Sequence, residues 1–181
     1  MNLWFRLLRV LVQGLLRARV PWDARTRLDF RVWPLDLDLN LHMTNARYMA
    51  LMDLGRMNLI LQTGLGRLVV KERWGPVIAS ALVRFRRPLH LLEAFSLSTR
   101  IIGWDEKWIF IEHRLERGGD LICHALVKGL FMSPKGAVPP ARIAEALGHD
   151  GDSPVLPDWI SDWMAVEAAQ TRFGVVNGGE T

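Results

Sequence analysis

"DLDLNLHMTNARYMALMDLGRMNLILQTG", residues 36–64, joins two kinds of chain. Residues 36–48 gather two carboxylates, two amides, an imidazole, an arginine and a phenol. From Thr44 to Thr63 the pattern changes: no alternation, few β-branched residues, many Met and Leu. That composition spells a long, largely buried helix, with Gly64 as its C-cap. Gly55 inside it permits a close backbone approach by a neighbouring element.

Outward from this stretch the signals become those of strands. In Thr26–Trp33, Leu28, Phe30 and Val32 share one face and Arg27, Asp29 and Arg31 the other, which predicts a first strand closed by Pro34. After Gly64 comes a loop rich in basic residues, and then strands at 77–87, 94–103, 106–116 and 120–132. Gly118-Gly119 between the last two is a two-residue hairpin signal. A strand, one long apolar helix and four antiparallel strands with short connections describe an α+β layer fold, a helix packed on one face of a sheet. Prolines punctuate the tail, which reads as helices at 139–147 and 157–170. The expected division is an amphipathic helix at 1–20, a main domain at 24–135 and a helical tail at 136–181.

The length of 181 residues suits one domain, and 50% hydrophobic with 23% charged residues excludes disorder. A mean hydropathy of +0.10 is on the apolar side and points to an oligomer interface, a lipophilic ligand or a membrane contact. Cys123 stands alone, so no intrachain disulfide forms and a reducing, cytoplasmic setting is expected. The scattered histidines and single cysteine show no zinc-ligand spacing. The net charge of +4 is concentrated early: residues 1–32 carry Arg6, Arg9, Arg17, Arg19, Arg25, Arg27 and Arg31 against Asp23 and Asp29. Such a distribution argues against a basic nucleic-acid surface spread over the fold.

Residues 1–20 contain too many arginines for a bilayer span and no small-x-small cleavage site follows. On a helix, Asn2, Arg6, Arg9, Gln13 and Arg17 form a narrow polar stripe, and Trp, Phe, Leu and Val cover the rest. Two readings stand. The helix lies in a membrane interface, making the protein peripheral to the inner face of a membrane, or its apolar face docks on its own domain or a partner subunit.

The polar cluster leads into the long helix, whose first N–H groups lack intrahelical partners and favour developing negative charge. A carbonyl oxygen placed there is polarised as in an oxyanion hole. Asp38 and His42 supply a carboxylate and an imidazole beside it, the parts for hydrolysing an acyl compound. The bland reading has Thr44 or Asn45 as a helix cap, Asp36 and Asp38 as solvated loop carboxylates, Arg47 and Tyr48 as structural, and Asp53 with Arg56 as an ordinary helix pair.

The stretch "WPLDLDLNLHMTNARYMALMDLGR" resembles the signature of hot-dog-fold thioesterases, in which D-x-D-x-N-x-H-x-x-N-x-x-Y leads into the helix that a curved sheet wraps. It is most similar to the single-domain thioesterase-superfamily-member proteins, the 4-hydroxybenzoyl-CoA thioesterase-like type and the acyl-ACP thioesterases, over about residues 24–133. The resemblance implies a hot-dog fold, acyl-CoA or acyl-ACP hydrolysis, no cofactor and no metal, and a homodimer or dimer of dimers with sites at the subunit boundary. It matches Asp38 to the nucleophile or general base, Asn40 and His42 to the plant-type amide and imidazole, and Asn45 and Tyr48 to the positions entering the helix; Thr44, Asn45 and Tyr48 are expected to bind substrate. Two departures favour a simpler scheme of Asp38, a water and the helix end. Thr44-Asn45 stands where many relatives have two asparagines, and Pro88-Leu89 where the plant enzymes have acidic and cysteine residues. Arg84, Arg86 and Arg87, with Lys71 and Arg73, are candidates for coenzyme A phosphates or an acidic carrier protein, or are simply exposed charges. The alternatives are a non-catalytic acyl-binding or membrane-linked scaffold, and an enoyl-thioester hydratase. The hydratase motif has a proline, and five residues from aspartate to histidine, where this chain has no proline and four.

Overall fold

Alternation in Thr26–Arg31 produces β1, with Leu28 and Phe30 turned into the core and the charged partners turned out. A computed structural model describes residues 3–149 and 152–177. Before β1 runs α1 (Leu3–Leu16), and after it a short 3-10 turn at Pro34–Asp36 leads to α2 (Asn45–Gln62). Then follow α3 (Leu65–Lys71), β2 (Gly75–Phe85), β3 (Ala94–Trp104), β4 (Ile109–Arg117), β5 (Asp120–Ser133), β6 (Gly136–Val138), α4 (Pro140–Ala146) and α5 (Trp159–Asn177). The expected strands and the long helix are present within a few residues of their predicted bounds.

The strands form one antiparallel sheet in the order β1-β3-β4-β5-β2, with β6 pairing to β5. The sheet wraps α2, whose Tyr48, Leu51, Met52 and Leu54 pack with Leu28, Phe30, Phe95, Leu97 and Leu115 in the main core. At Gly55 the helix comes so near β3 that a Cβ would stand 2.5 Å from Thr99 Oγ1, so only glycine fits there. α5 covers part of the opposite face, where Ile160 and Trp163 meet Phe110 and Leu126. This is the hot-dog fold, an antiparallel sheet around one long helix.

Four features depart from the sequence expectations. Residues 65–71 are a helix rather than a basic loop, because Leu65 is buried with Trp74 and Phe131 while Leu68 and Val69 pack alongside. The strand β6 and the extension of α5 to Asn177 carried no distinct pattern. The largest departure concerns α1. It docks on its own domain with Arg6, Val10 and Gly14 inward, so an arginine of the polar stripe is buried while Trp4, Phe5, Leu8 and Leu16 face outward.

Candidate functional site

Residues 37–43 form a tight reversal in which Leu37 bridges Met43, the Asp38 amide donates to His42 O at 2.9 Å, and the Leu41 amide donates to Asp38 O at 3.1 Å. Asp38 Oδ1 accepts the amides of Asn40 (2.8 Å) and His42 (3.3 Å), so the carboxylate shapes the turn that carries it. Asp38 and Asn40 are exposed and His42 half-buried. Leu41 holds φ at +59°, a conformation costing an L-residue roughly 1–2 kcal/mol, and such strain is concentrated at functional turns. The structure therefore brings Asp38, Asn40 and His42 together on one turn. Directly after it, Thr44 is the N-cap of α2, its hydroxyl accepting the Arg47 amide at 3.1 Å. Asn45 and Ala46 are exposed residues, and their amides precede the first intrahelical bond at the positive end of the helix.

Asp36, expected to be a solvated loop carboxylate, is 1% exposed. Its Oδ2 lies 2.5 Å from Arg6 Nη2 and accepts the Trp33 amide at 2.9 Å, and its Oδ1 lies 2.9 Å from Arg47 Nε. Its carbonyl accepts the Thr44 amide at 2.9 Å. One carboxylate thus ties α1, the 3-10 turn and the start of α2 into a single frame. The sequence could not reveal this, because one partner stands thirty residues away and the polarity of a loop says nothing of what covers it.

Two groups join the turn from the segment after β2. His90 bridges His42, with ring centroids 4.8 Å apart and planes at 82°. Glu93 accepts the His90 amide at 2.8 Å and pairs with Arg117 at 2.6 Å. Partial burial pushes the Glu93 carboxyl upward, but the His90 amide and the Arg117 guanidinium outweigh it and hold the carboxyl below its usual range. Sequence reading missed His90, since only the bridge places it beside the motif.

The remaining expected residues have other partners. Tyr48 is buried edge-on against Phe85, and burial pushes its phenol up to about 12. Arg84 is paired across the sheet with His124, on the face opposite Phe85. The Arg86 and Arg87 amides both donate to Ile122 O, and the Arg87 guanidinium pairs with Asp120.

A second feature lies farther along α2. An apolar cavity of about 200 Å³ is enclosed by Met57 and Ile60 of the helix, Val77 and Ile78 of β2, and Ile109 and Ile111 of β4, with Asp53 and Arg56 at its polar border. Arg56 and Asp53 are the helix pair expected, but Arg56 Nη1 also donates to Nε2 of the fully buried His113 at 3.1 Å. The opposite ring nitrogen, Nδ1, then donates to Thr99 Oγ1 at 3.0 Å. Burial, reinforced by the Arg56 cation, pushes the His113 imidazole well below its ordinary range and keeps it neutral.

The model of the thioesterase-like superfamily matches residues 32–164, and the chain belongs to that superfamily. It is 37% identical over 143 residues to Protein THEM6 of Danio rerio, over 78% of this chain and 70% of the relative. To Protein THEM6 of Xenopus laevis it is 29% identical over 136 residues, 74% of this chain and 64% of the relative, so it spans under two thirds of that protein's length. To a protein named a probable thioesterase in Saccharomyces cerevisiae it is 29% identical over 127 residues, 68% of this chain and 55% of the relative. Among solved structures it resembles the YbaW probable thioesterase from Escherichia coli, with a TM-score of 0.63 at 17% identity, over 67% of this chain and 95% of that one. It also resembles a 4-hydroxybenzoyl CoA thioesterase complexed with 4-hydroxybenzoyl CoA, with a TM-score of 0.61 at 22% identity, over 67% and 96% of the two chains. At these identities the structural likeness is one of fold.

Proposed function

We propose that the protein hydrolyses acyl thioesters of coenzyme A or an acyl-carrier protein, with Asp38 as general base and the N-terminus of α2 as the polarising group. The observation that supports this reading is the turn itself, which holds the Asp38 carboxylate on the Asn40 and His42 amides immediately ahead of the Thr44 cap of α2. In the reaction, Asp38 takes a proton from a water whose oxygen attacks the carbonyl carbon. The oxyanion that develops is stabilised by the helix amides, as preorganised donors do most effectively. The C–S bond then breaks, the thiol leaves with a proton, and the free acid remains. Asn40 and the His42–His90 pair shape and flank the carboxylate. Thr44 holds the helix start and Tyr48 packs beneath it. Arg84, Arg86 and Arg87 are assigned to the phosphates of coenzyme A or an acidic carrier surface.

The cavity beside Met57 and Ile111 is assigned to the acyl tail, since its apolar walls suit a hydrocarbon. β2 supports a homodimer. It is an edge strand of eleven residues, and Val77, Ile78 and Leu82 on it are each more than two-fifths exposed. A long apolar edge of this kind seeks a partner strand. Val77 and Ile78 also line the cavity, so a dimer through β2 covers its mouth. A monomer in sedimentation velocity at micromolar concentration removes this part of the reading. The outward face of α1 is assigned to a membrane surface.

Asp38→Ala should lower acyl-CoA hydrolysis by at least about 100-fold with the circular dichroism spectrum unchanged, because a positioned acid–base group contributes about 10²–10⁴-fold. Wild-type protein that turns over no acyl-CoA or acyl-ACP at any chain length sinks the enzyme reading. Acyl binding without turnover would then remain, favoured by the separation between the turn and the cavity.

A further inference from the structure

Helix α1 is inside out for a helix on a water-soluble surface. Arg6, Val10 and Gly14, spaced four apart, face the domain. Its roll is fixed at both ends of that row: Arg6 is locked to buried Asp36, and a Cβ on Gly14 would lie 2.7 Å from Leu61 Cδ1. What remains outward is Trp4, Phe5, Leu8, Val12, Leu15 and Leu16, with Trp4 73% and Leu16 80% exposed. No helix among the described residues is long and apolar enough to cross a membrane.

The apolar ridge runs into a groove of about 590 Å³ between the end of α1, the end of α2 and α3. Leu15, Leu61 and Val70 form its apolar part, and Arg17, Arg19, Arg67 and Lys71 stand around it. No acidic side chain among the described residues lines this groove. Among the described residues, Arg17, Arg19 and Arg67 make no ion pair; Arg17 donates only to the Arg27 carbonyl, at 3.2 Å. Lys71 reaches Glu72 only at 4.0 Å.

We propose that this groove is a headgroup site for anionic phospholipid, and that with the ridge of α1 it seats the protein in the interface of an anionic membrane. The inference rests on the assignment of α1 to a membrane surface and adds to it the lipid charge and the residues that read it. The ridge enters the acyl boundary, while the arginines at its end meet phosphate oxygens at headgroup level. A second copy of the chain is a poorer occupant. A twofold contact sets a patch against itself, and this patch would place Arg17, Arg19 and Arg67 against their own counterparts.

The test uses the full chain in flotation assays with vesicles of phosphatidylglycerol mixed with phosphatidylcholine, and with phosphatidylcholine alone. Wild type should partition to the anionic vesicles at least tenfold better. A cation near an anionic bilayer is worth about fivefold, so the triple variant Arg17→Ala/Arg19→Ala/Arg67→Ala should lose about 100-fold on anionic vesicles. Its hydrolysis of soluble acyl-CoA should be unchanged. Equal binding of wild type to both vesicle types, with no loss in the triple variant, overturns the headgroup site and leaves the apolar contact of α1 standing. Failure of wild type to bind either vesicle overturns both. Self-association that Leu8→Glu/Val12→Glu abolishes, without vesicle binding, assigns the face to a second copy and also overturns the proposal.

Discussion

The two ends of α2 lie in different surroundings. At its start, polar groups are gathered on an exposed, strained turn held by backbone hydrogen bonds, and the helix offers free amides. From Asp53 onward the same helix faces an apolar cavity, its amides consumed within the helix. At 1.5 Å per residue, Asn45 and Asp53 are about 12 Å apart along the axis. One end has electrostatics without walls, the other walls without a free donor. In the proposed reaction the thioester belongs at the first and its hydrocarbon tail at the second, so the helix acts as a ruler between them.

The comparison can be broken at the turn. Asp36 and Asp38 are two residues apart, yet one is buried between Arg6 and Arg47 and the other faces solvent. Asp36→Ala leaves two buried or half-buried guanidinium groups unpaired and should cost about 3–5 kcal/mol in urea unfolding at pH 7. Asp38→Ala removes no buried partner and gives up only its exposed hydrogen bonds to the Asn40 and His42 amides, so it should cost about 1 kcal/mol. Equal losses in the two variants contradict the division between a framing carboxylate and a reacting one.

The framing role of Asp36 was not legible in the sequence, although the fold was. Alternation at Leu28, Phe30 and Val32, the unbroken Met/Leu run after Thr44 and the Gly118-Gly119 turn each report a local preference, and an α+β layer fold follows from their order, while the resemblance of residues 33–56 implied its hot-dog form. Asp36, His90 and Arg6 gain their roles from partners far along the chain. A helical wheel shows that Arg6 is polar, but the buried acid that would turn it inward lies outside the wheel. The seven residues of α3 are too few to display a period.

The cavity end can be probed by pH. His113 is neutral in the native state and donates to Thr99 while accepting from Arg56. Its folded pKa is depressed below the ordinary 6.5, so below that value the unfolded chain holds a proton the native chain lacks. Stability is therefore full above pH 6.5 and falls as the pH drops, with a limiting slope of about 1.4 kcal/mol per pH unit. Urea midpoints between pH 7 and 5 should show this slope in wild type and a flatter one in His113→Gln. An unchanged slope in the variant assigns the acid sensitivity elsewhere.

The smallest effect separates the ends most directly. Ile111 lines the cavity and stands far from the turn, so Ile111→Phe should shorten the space for a tail without touching Asp38. A methylene denied burial forfeits about 0.8 kcal/mol, roughly fourfold in binding. KM for the longest acyl-CoA accepted should rise about fourfold per excluded methylene, and kcat for short chains should stay put. A fall in kcat for every chain length instead moves the chemistry to the cavity, where Asp53 is the carboxylate at hand. Asp53→Asn then decides which end of the helix reacts, because loss of turnover there, with Asp38→Ala active, reverses the assignment of the two ends.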